Sequence, residues 1–299
     1  MKQRLFTFNF NNPKVWTLLF VTVVFVGDRI IGEVLKYTVQ KSQFRYSRLY
    51  GKTAHSKYIL IGNSRGLVFH SPTIAQKTKQ KVINLSYNSM PTELACALIR
   101  DYLEIYPAPK YILWEITMLN YNSKKLIANF TPYQSSQNIG PLVAQKYPKL
   151  YWWCNFSHIY RYRGEVFLRV LYYMFKNDQN WVLHQEGNIQ QIKKSIAQIE
   201  SVTFRADNKD LEKIKELALF AKSKNCEIKL MIQPLFPDFV PKVKNLQMWK
   251  EKITQRTGLK IYDYSQAQFP ENYFVDRVHL NKKGAKAYSQ LLYNDGIFK

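Results

Sequence analysis

A short run, Lys57-Tyr58-Ile59-Leu60-Ile61-Gly62-Asn63-Ser64-Arg65-Gly66-Leu67, constrains the chain more than any other stretch. Its apolar residues follow one another without alternation, as in a strand of a parallel sheet that is covered on both faces. Gly62 then allows a tight turn that a side chain would obstruct, and Ser64 emerges at the carboxyl end of the strand, where open α/β sheets bind ligands. A hydroxyl there is placed for chemistry. The same serine also reads as an ordinary helix N-cap, with Leu67, Val68 and Ile74 on the helix it would start. A motif this short does not separate the two readings.

Strand-turn-helix units recur behind this run. Residues 81–86 are expected as a second strand and 110–117 as a third. Residues 91–106 between them read as a helix, with proline in the first turn and apolar positions 94, 98, 99, 102 and 103 on one face. Further on, 207–222 is an amphipathic helix, 226–234 a fourth strand, 245–257 helical and 259–264 a short last strand. This succession predicts an α/β domain over 57–299 built on a parallel sheet. An insertion at about 120–183 interrupts it and is expected to hold one or two amphipathic helices. There aromatics interleave with arginines, and Arg161 and Arg163 are candidate contacts to a substrate or a surface: a membrane interface, sugar rings or nucleic-acid bases. The plainer alternative is a satellite core whose arginines ring its edge.

The formal charge of +23 suits a polyanionic partner, whether nucleic acid, anionic lipid or acidic polysaccharide, without choosing among them. Cys96, Cys154 and Cys226 are odd in number and far apart, so neither a disulfide framework nor a zinc site is indicated. The amino terminus discriminates better. Lys2, Arg4 and Lys14 precede an apolar run over 15–26, which is shorter than the roughly 20 residues that cross a bilayer as a helix. Extension back through Phe6, Phe8 and Phe10, or forward past Asp28 and Arg29 to Ile30 and Ile31, reaches that length with polar residues near the ends. No small-residue cleavage site follows Val26, so an uncleaved N-terminal transmembrane helix over 1–32 is expected rather than a signal peptide. A buried core helix is the alternative. A connector over 33–56 would follow, with Arg45, Arg48, Lys52 and Lys57 resting on anionic headgroups. Basic residues lie on both sides of the run, so counting them does not fix its orientation; an early anchor with a short basic leader usually leaves the large carboxyl-terminal part outside the cytoplasm, and the main domain is expected there, in the periplasm or at the cell surface.

A second candidate block lies near the carboxyl end. Asp276 and His279 are three residues apart, just before a helix capped by Asn281. A carboxylate at that spacing can accept the imidazole Nδ1 proton and leave Nε2 as base for a serine, although a lone Asp-x-x-His serves equally as a structural pair.

Taken together and in this order, the two blocks resemble the SGNH, or GDSL-like, hydrolase superfamily. Ile61-Gly62-Asn63-Ser64-Arg65 matches its first block and Val275-Asp276-Arg277-Val278-His279-Leu280-Asn281 its last. The resemblance implies a flavodoxin-like three-layer α/β/α fold with Ser64, Asp276 and His279 as a catalytic triad. Asn84 to Pro91 looks like the second block, which implies oxyanion contacts from the Ser64 amide and near Ser89, with Asn88 and Arg65 as candidate substrate contacts. The sequence departs from the pattern in three places. Asn63 stands where aspartate is usual, the glycine of the second block is absent with Ser89 the nearest small residue, and Trp114 to Asn120 replaces a Gly-x-Asn-Asp block. Membrane-anchored relatives of this kind are similar to DltD-like and alginate-acetylation-like proteins. That implies an extracytoplasmic serine esterase or O-acyltransferase acting on a cell-envelope glycan or polymer, with a membrane-bound O-acyltransferase as partner and with no cofactor or metal. A non-catalytic envelope protein that keeps the fold and binds a polyanionic polymer or a membrane partner is the second reading. A nucleic-acid binder is the third, disfavoured by the apolar amino terminus.

Overall fold

In the computed structural model, residues 12–299 are described, except 118, 120–122, 124, 179–180 and 183–184. Five strands form one sheet: β1 Tyr58–Ile61, β2 Val82–Asn84, β3 Tyr111–Glu115, β4 Glu227–Ile232 and β5 Ile261–Asp263. Their order is β2-β1-β3-β4-β5 and every neighbouring pair is parallel. Leu60 lies opposite Asn84 on one side and Leu113 on the other. Ile59, Leu60 and Ile61 are fully buried, which is why the run lacks alternation.

Thirteen α-helices accompany the sheet among the described residues. They are α1 Pro13–Lys41, α2 Arg45–Tyr50, α3 Ser71–Thr78, α4 Thr92–Ile105, α5 Lys125–Ala128, α6 Ile139–Lys146, α7 Pro148–Phe156, α8 His158–Arg161, α9 Gly164–Tyr172, α10 Ile189–Ala197, α11 Asn208–Ser223, α12 Leu246–Thr257 and α13 Lys282–Asn294. Helix α3 carries the chain from β1 outward to β2, whereas α4, α11 and α12 carry it the opposite way across the sheet. Right-handed crossovers therefore put α3 on one face and the other three on the opposite face. Packing agrees, for α3 touches α13 while α11 touches both α4 and α12. The result is a doubly wound, flavodoxin-like order whose switch point falls beside β1.

Four expectations change. Ser64 does not cap a helix: a 3-10 turn, Gly66–Val68, follows it, and α3 is capped by His70 Nδ1, which accepts from Thr73 N–H. Among the described residues the insertion holds five short helices, α5 to α9, rather than one or two. The stretch expected as a connector is the second half of α1 followed by α2, with Phe44, Tyr46 and Leu49 fully buried. Arg45 does not rest on headgroups. It is buried against Asp178 at 2.7 Å, and its guanidinium donates to the Ser86 carbonyl at 2.9 Å.

The fourth change concerns the transmembrane helix. Among the described residues no helix is long and apolar enough to cross a membrane. Helix α1 is long, but Asp28 and Arg29 break its apolar part, and Asp28 is committed to hydrogen bonds with Ser157 and the backbone N–H groups of His158 and Ile159. The uninterrupted run of 15–26 spans about 18 Å as a helix, against a hydrocarbon core of about 30 Å. Lys2, Arg4, Phe6, Phe8 and Phe10 lie outside the described residues, as does Asn120.

Candidate active site

Ser64 sits three residues beyond β1 because the turn there is packed against β3. A Cβ on Gly62 would meet Glu115 Cβ at 2.9 Å and Gly66 Cα at 3.1 Å, so glycine serves a close approach here rather than an unusual φ. Gly66 is equally confined, since a Cβ there would meet Ser86 Oγ at 2.4 Å. Asn84, at the end of β2, donates from Nδ2 to the Gly66 carbonyl at 2.9 Å and so holds the turn from the other side.

The Asp276–His279 segment is a narrow loop closed by a bridge between Phe274 and Leu280. Asp276 Oδ1 accepts from the backbone N–H groups of Val278 and His279, both at 2.8 Å, so the carboxylate folds back under the imidazole. Its other oxygen, Oδ2, lies 2.8 Å from His279 Nδ1. An ionised carboxylate only accepts, so Nδ1 carries the proton and Nε2 is left as an acceptor. Ser64 Oγ lies 2.9 Å from that Nε2. Residues 215 positions apart thus meet in one hydrogen-bonded line above the carboxyl ends of the strands. Burial pushes the Asp276 carboxyl up, but the hydrogen bond and charge of His279 and the two backbone N–H donors outweigh it and hold the group at about 2. Ser64 and His279 are only partly buried, and the open clefts lined by Trp249 and Lys252, by Arg100 and Leu142, and by Leu219 and Leu259 contain none of the three residues.

The remaining candidates fall elsewhere. Arg65 is not a substrate contact, because it is fully buried. Its Nε donates to Glu115 Oε1 at 3.0 Å, Nη2 to the Gln233 carbonyl at 2.8 Å, and Nη1 to the Val278 carbonyl. One guanidinium therefore ties the ends of β1, β3 and β4 to the residue before His279, and sets where the imidazole stands relative to Ser64. Sequence reading missed this role, although an acid closing an otherwise apolar strand, as Glu115 does, was a signal for a buried partner. Asn88 and Ser89 lie on an exposed turn, and the Ser64 hydroxyl is hydrogen-bonded to His279 rather than to either of them. Ser89 has φ +54, a left-handed conformation that glycine adopts freely and serine at a cost on the order of 1 kcal/mol. The backbone there has the shape that a glycine would favour. Arg161 and Arg163 spend their contacts inside the insertion: Arg161 with Asn155 and Ser135, Arg163 over the Tyr160 ring at 4.3 Å. Among the described residues no cluster of His, Cys, Asp and Glu is arranged to hold a metal ion.

No family model matches the chain, and no curated protein sequence matches it. Among solved structures it is similar to a candidate acylhydrolase from Bacteroides fragilis, at 11% identity and a TM-score of 0.37 over 80% of this chain and 87% of that one. It is also similar to a GDSL-like lipase from Bacteroides thetaiotaomicron, at 10% identity and a TM-score of 0.36 over 85% of this chain and 98% of that one. Likenesses this distant carry nothing about chemistry, which rests on the residues themselves.

Proposed function

We propose that the protein is a serine esterase or O-acyltransferase of SGNH type, with Ser64, His279 and Asp276 as its catalytic triad. The observation that carries the reading is the unbroken line from Ser64 Oγ through His279 to Asp276, with both links at 2.8–2.9 Å. Ser64 Oγ attacks the carbonyl carbon of an acyl ester while His279 Nε2 takes the hydroxyl proton. The alcohol leaves with that proton, and the acyl group stays on Ser64. Water or an acceptor hydroxyl then attacks the acyl-serine, giving its proton to His279, and Ser64 is released with its own proton restored. Asp276 keeps the imidazole in the required tautomer and stabilises its positive charge. The Ser64 amide is the first oxyanion donor.

The substrate reading is an ester on a cell-envelope glycan or polymer. A site that is partly exposed rather than enclosed suits a bulky acceptor, and the charge of +23 suits an acidic one. The exposed apolar residues of α1 support membrane attachment; on this reading the main domain is extracytoplasmic, and a membrane-bound O-acyltransferase is the partner to test. A fluorophosphonate probe decides the chemistry. Labelling of the wild type and none of Ser64→Ala is the expected result. A wild type that stays unlabelled at millimolar probe would leave a non-catalytic, polymer-binding protein as the better description.

A further inference from the structure

Helix α1 leaves the α/β layers with its apolar residues uncovered. Leu18, Phe20, Val21, Val23, Val24 and Phe25 are each more than half exposed. Consecutive helical positions are about 100° apart, so these side chains point in every direction and no polar face remains. A protein partner would cover one side of such a helix. A hydrocarbon solvent covers all sides.

At Asp28 this helix meets the insertion. The Asp28 carboxylate accepts from Ser157 Oγ at 2.6 Å and from the backbone N–H of His158 at 2.8 Å, and Arg29 donates to the Phe156 carbonyl at 3.0 Å. A Cβ on Gly32 would meet His158 Cβ at 2.3 Å, so the junction of α7 and α8 is pressed onto α1 just below the apolar run. There α7 is patterned inside out. Cys154 is its one buried residue, while Trp152, Trp153 and Phe156 are half exposed, and the rings of Trp152 and Phe156 stack at 5.4 Å. Amphipathic aromatic rings collect at the headgroup level of bilayers, and basic residues do so on anionic ones. Arg163 lies over the Tyr160 ring, and Arg29 lies over the Phe25 ring at 4.4 Å while pairing with the Asp28 carboxylate at 2.7 Å.

We propose that the α7–α8 junction is an interfacial collar. Trp152, Trp153 and Phe156 sit among the headgroups of an anionic bilayer while residues 15–26 of α1 enter the hydrocarbon, fixing the height of the domain above the surface. A buried run of about 18 Å reaches little beyond one leaflet, and short single anchors hold weakly, so a second contact at the headgroup level makes attachment stable. This rests on the membrane-attachment part of the proposed function and not on its acyl chemistry.

The test uses the full-length chain with phosphatidylcholine–phosphatidylglycerol vesicles carrying lipids brominated either near the carbonyls or near the chain ends. The emission lost between wild type and Trp152→Phe/Trp153→Phe reports those two indoles. Shallow bromines are expected to quench that difference emission and deep ones much less. Trp152→Ala/Trp153→Ala is expected to lower vesicle partitioning on the order of tenfold or more, since each ring withdrawn from water is worth about that factor. Flotation of the wild type with unquenched Trp152 and Trp153 would overturn the collar and leave attachment through α1 intact. Absence of flotation would overturn both. A chain that buries these rings against a second copy, seen as a vesicle-independent dimer by sedimentation, would overturn the collar as well.

Discussion

Residues 58–61 and 15–26 are written in much the same apolar alphabet and meet opposite fates. In β1, Ile59, Leu60 and Ile61 are sealed between two helix layers, and the strand ends by delivering Ser64 to His279. In α1, Phe20 is 69% exposed and Val23 60%, and the apolar run gives way at Asp28 to the junction of α7 and α8, whose Trp152, Trp153 and Phe156 also face outward. An apolar run therefore states a need for cover and not the identity of what covers it. Strand and helix neighbours supply that cover for β1, whereas the described residues supply none for most of the 15–26 run, which is the ground of the membrane reading proposed above.

The largest contrast should appear in turnover. Ser64→Ala and His279→Ala are each expected to lower hydrolysis of a soluble aryl ester by roughly 10⁶-fold, with Asp276→Asn retaining more. The double variant Ser64→Ala/His279→Ala should be scarcely worse than either single one, because the residues act as one unit. Val23→Asn in α1 should leave the same assay unchanged. A working His279→Ala enzyme would break the comparison at its catalytic end.

Next comes the network behind the serine. Truncating one partner of a buried ion pair strands the other charge, so Glu115→Ala is expected to cost about 3–5 kcal/mol in urea unfolding. Arg65→Lys should recover part of the stability yet lower kcat, since an ammonium cannot serve Glu115, Gln233 and Val278 at once. Unchanged stability in Glu115→Ala would show that the pair is not sealed from water.

Smaller again is the packing contrast itself. Ile59→Val is expected to lose about 0.5–1.5 kcal/mol, whereas Val23→Ala, at an exposed position, should stay within about 0.5 kcal/mol of wild type. Equal losses at both sites, measured by unfolding of the full chain in mild detergent, would mean that α1 is covered by its own protein.

The smallest effect is set by acid. Asp276 is held at about 2 against an ordinary 3.8, so its pairing stabilises the fold above the unfolded value and that contribution fades as pH falls through about 2. The stability gap between wild type and Asp276→Asn should therefore narrow steadily from pH 5 to pH 2. Because Asp276 is half exposed, the gap is modest throughout. A gap that widens on acidification would contradict the carboxylate–imidazole pairing.

Much of this was legible without coordinates. The five described strands fall inside the stretches expected for them, and β1 is the clearest, because a strand buried on both faces loses its alternation. Helices α4 and α11 were legible from their apolar periodicity, and α12 falls in a stretch expected to be helical. In the insertion one or two helices were expected against five among the described residues, and α5 and α8, only four residues long, are too short to show a period. Arg65 was misread for a different reason. Charge beside a candidate nucleophile suggests substrate contact, and only three-dimensional placement reveals that three separate segments converge on it.

Residue order alone determined the strand segments, the emergence of Ser64 after the first of them, and the spacing that lets Asp276 meet His279, because each depends on neighbours within a few positions. Tertiary structure decided the rest: the meeting of Ser64 with His279, the burial of Arg65 and Arg45, and the exposure of α1 and of the aromatics at the junction of α7 and α8. Those outcomes depend on which distant surfaces come together, and local sequence carries no record of the partner a side chain will meet across the fold.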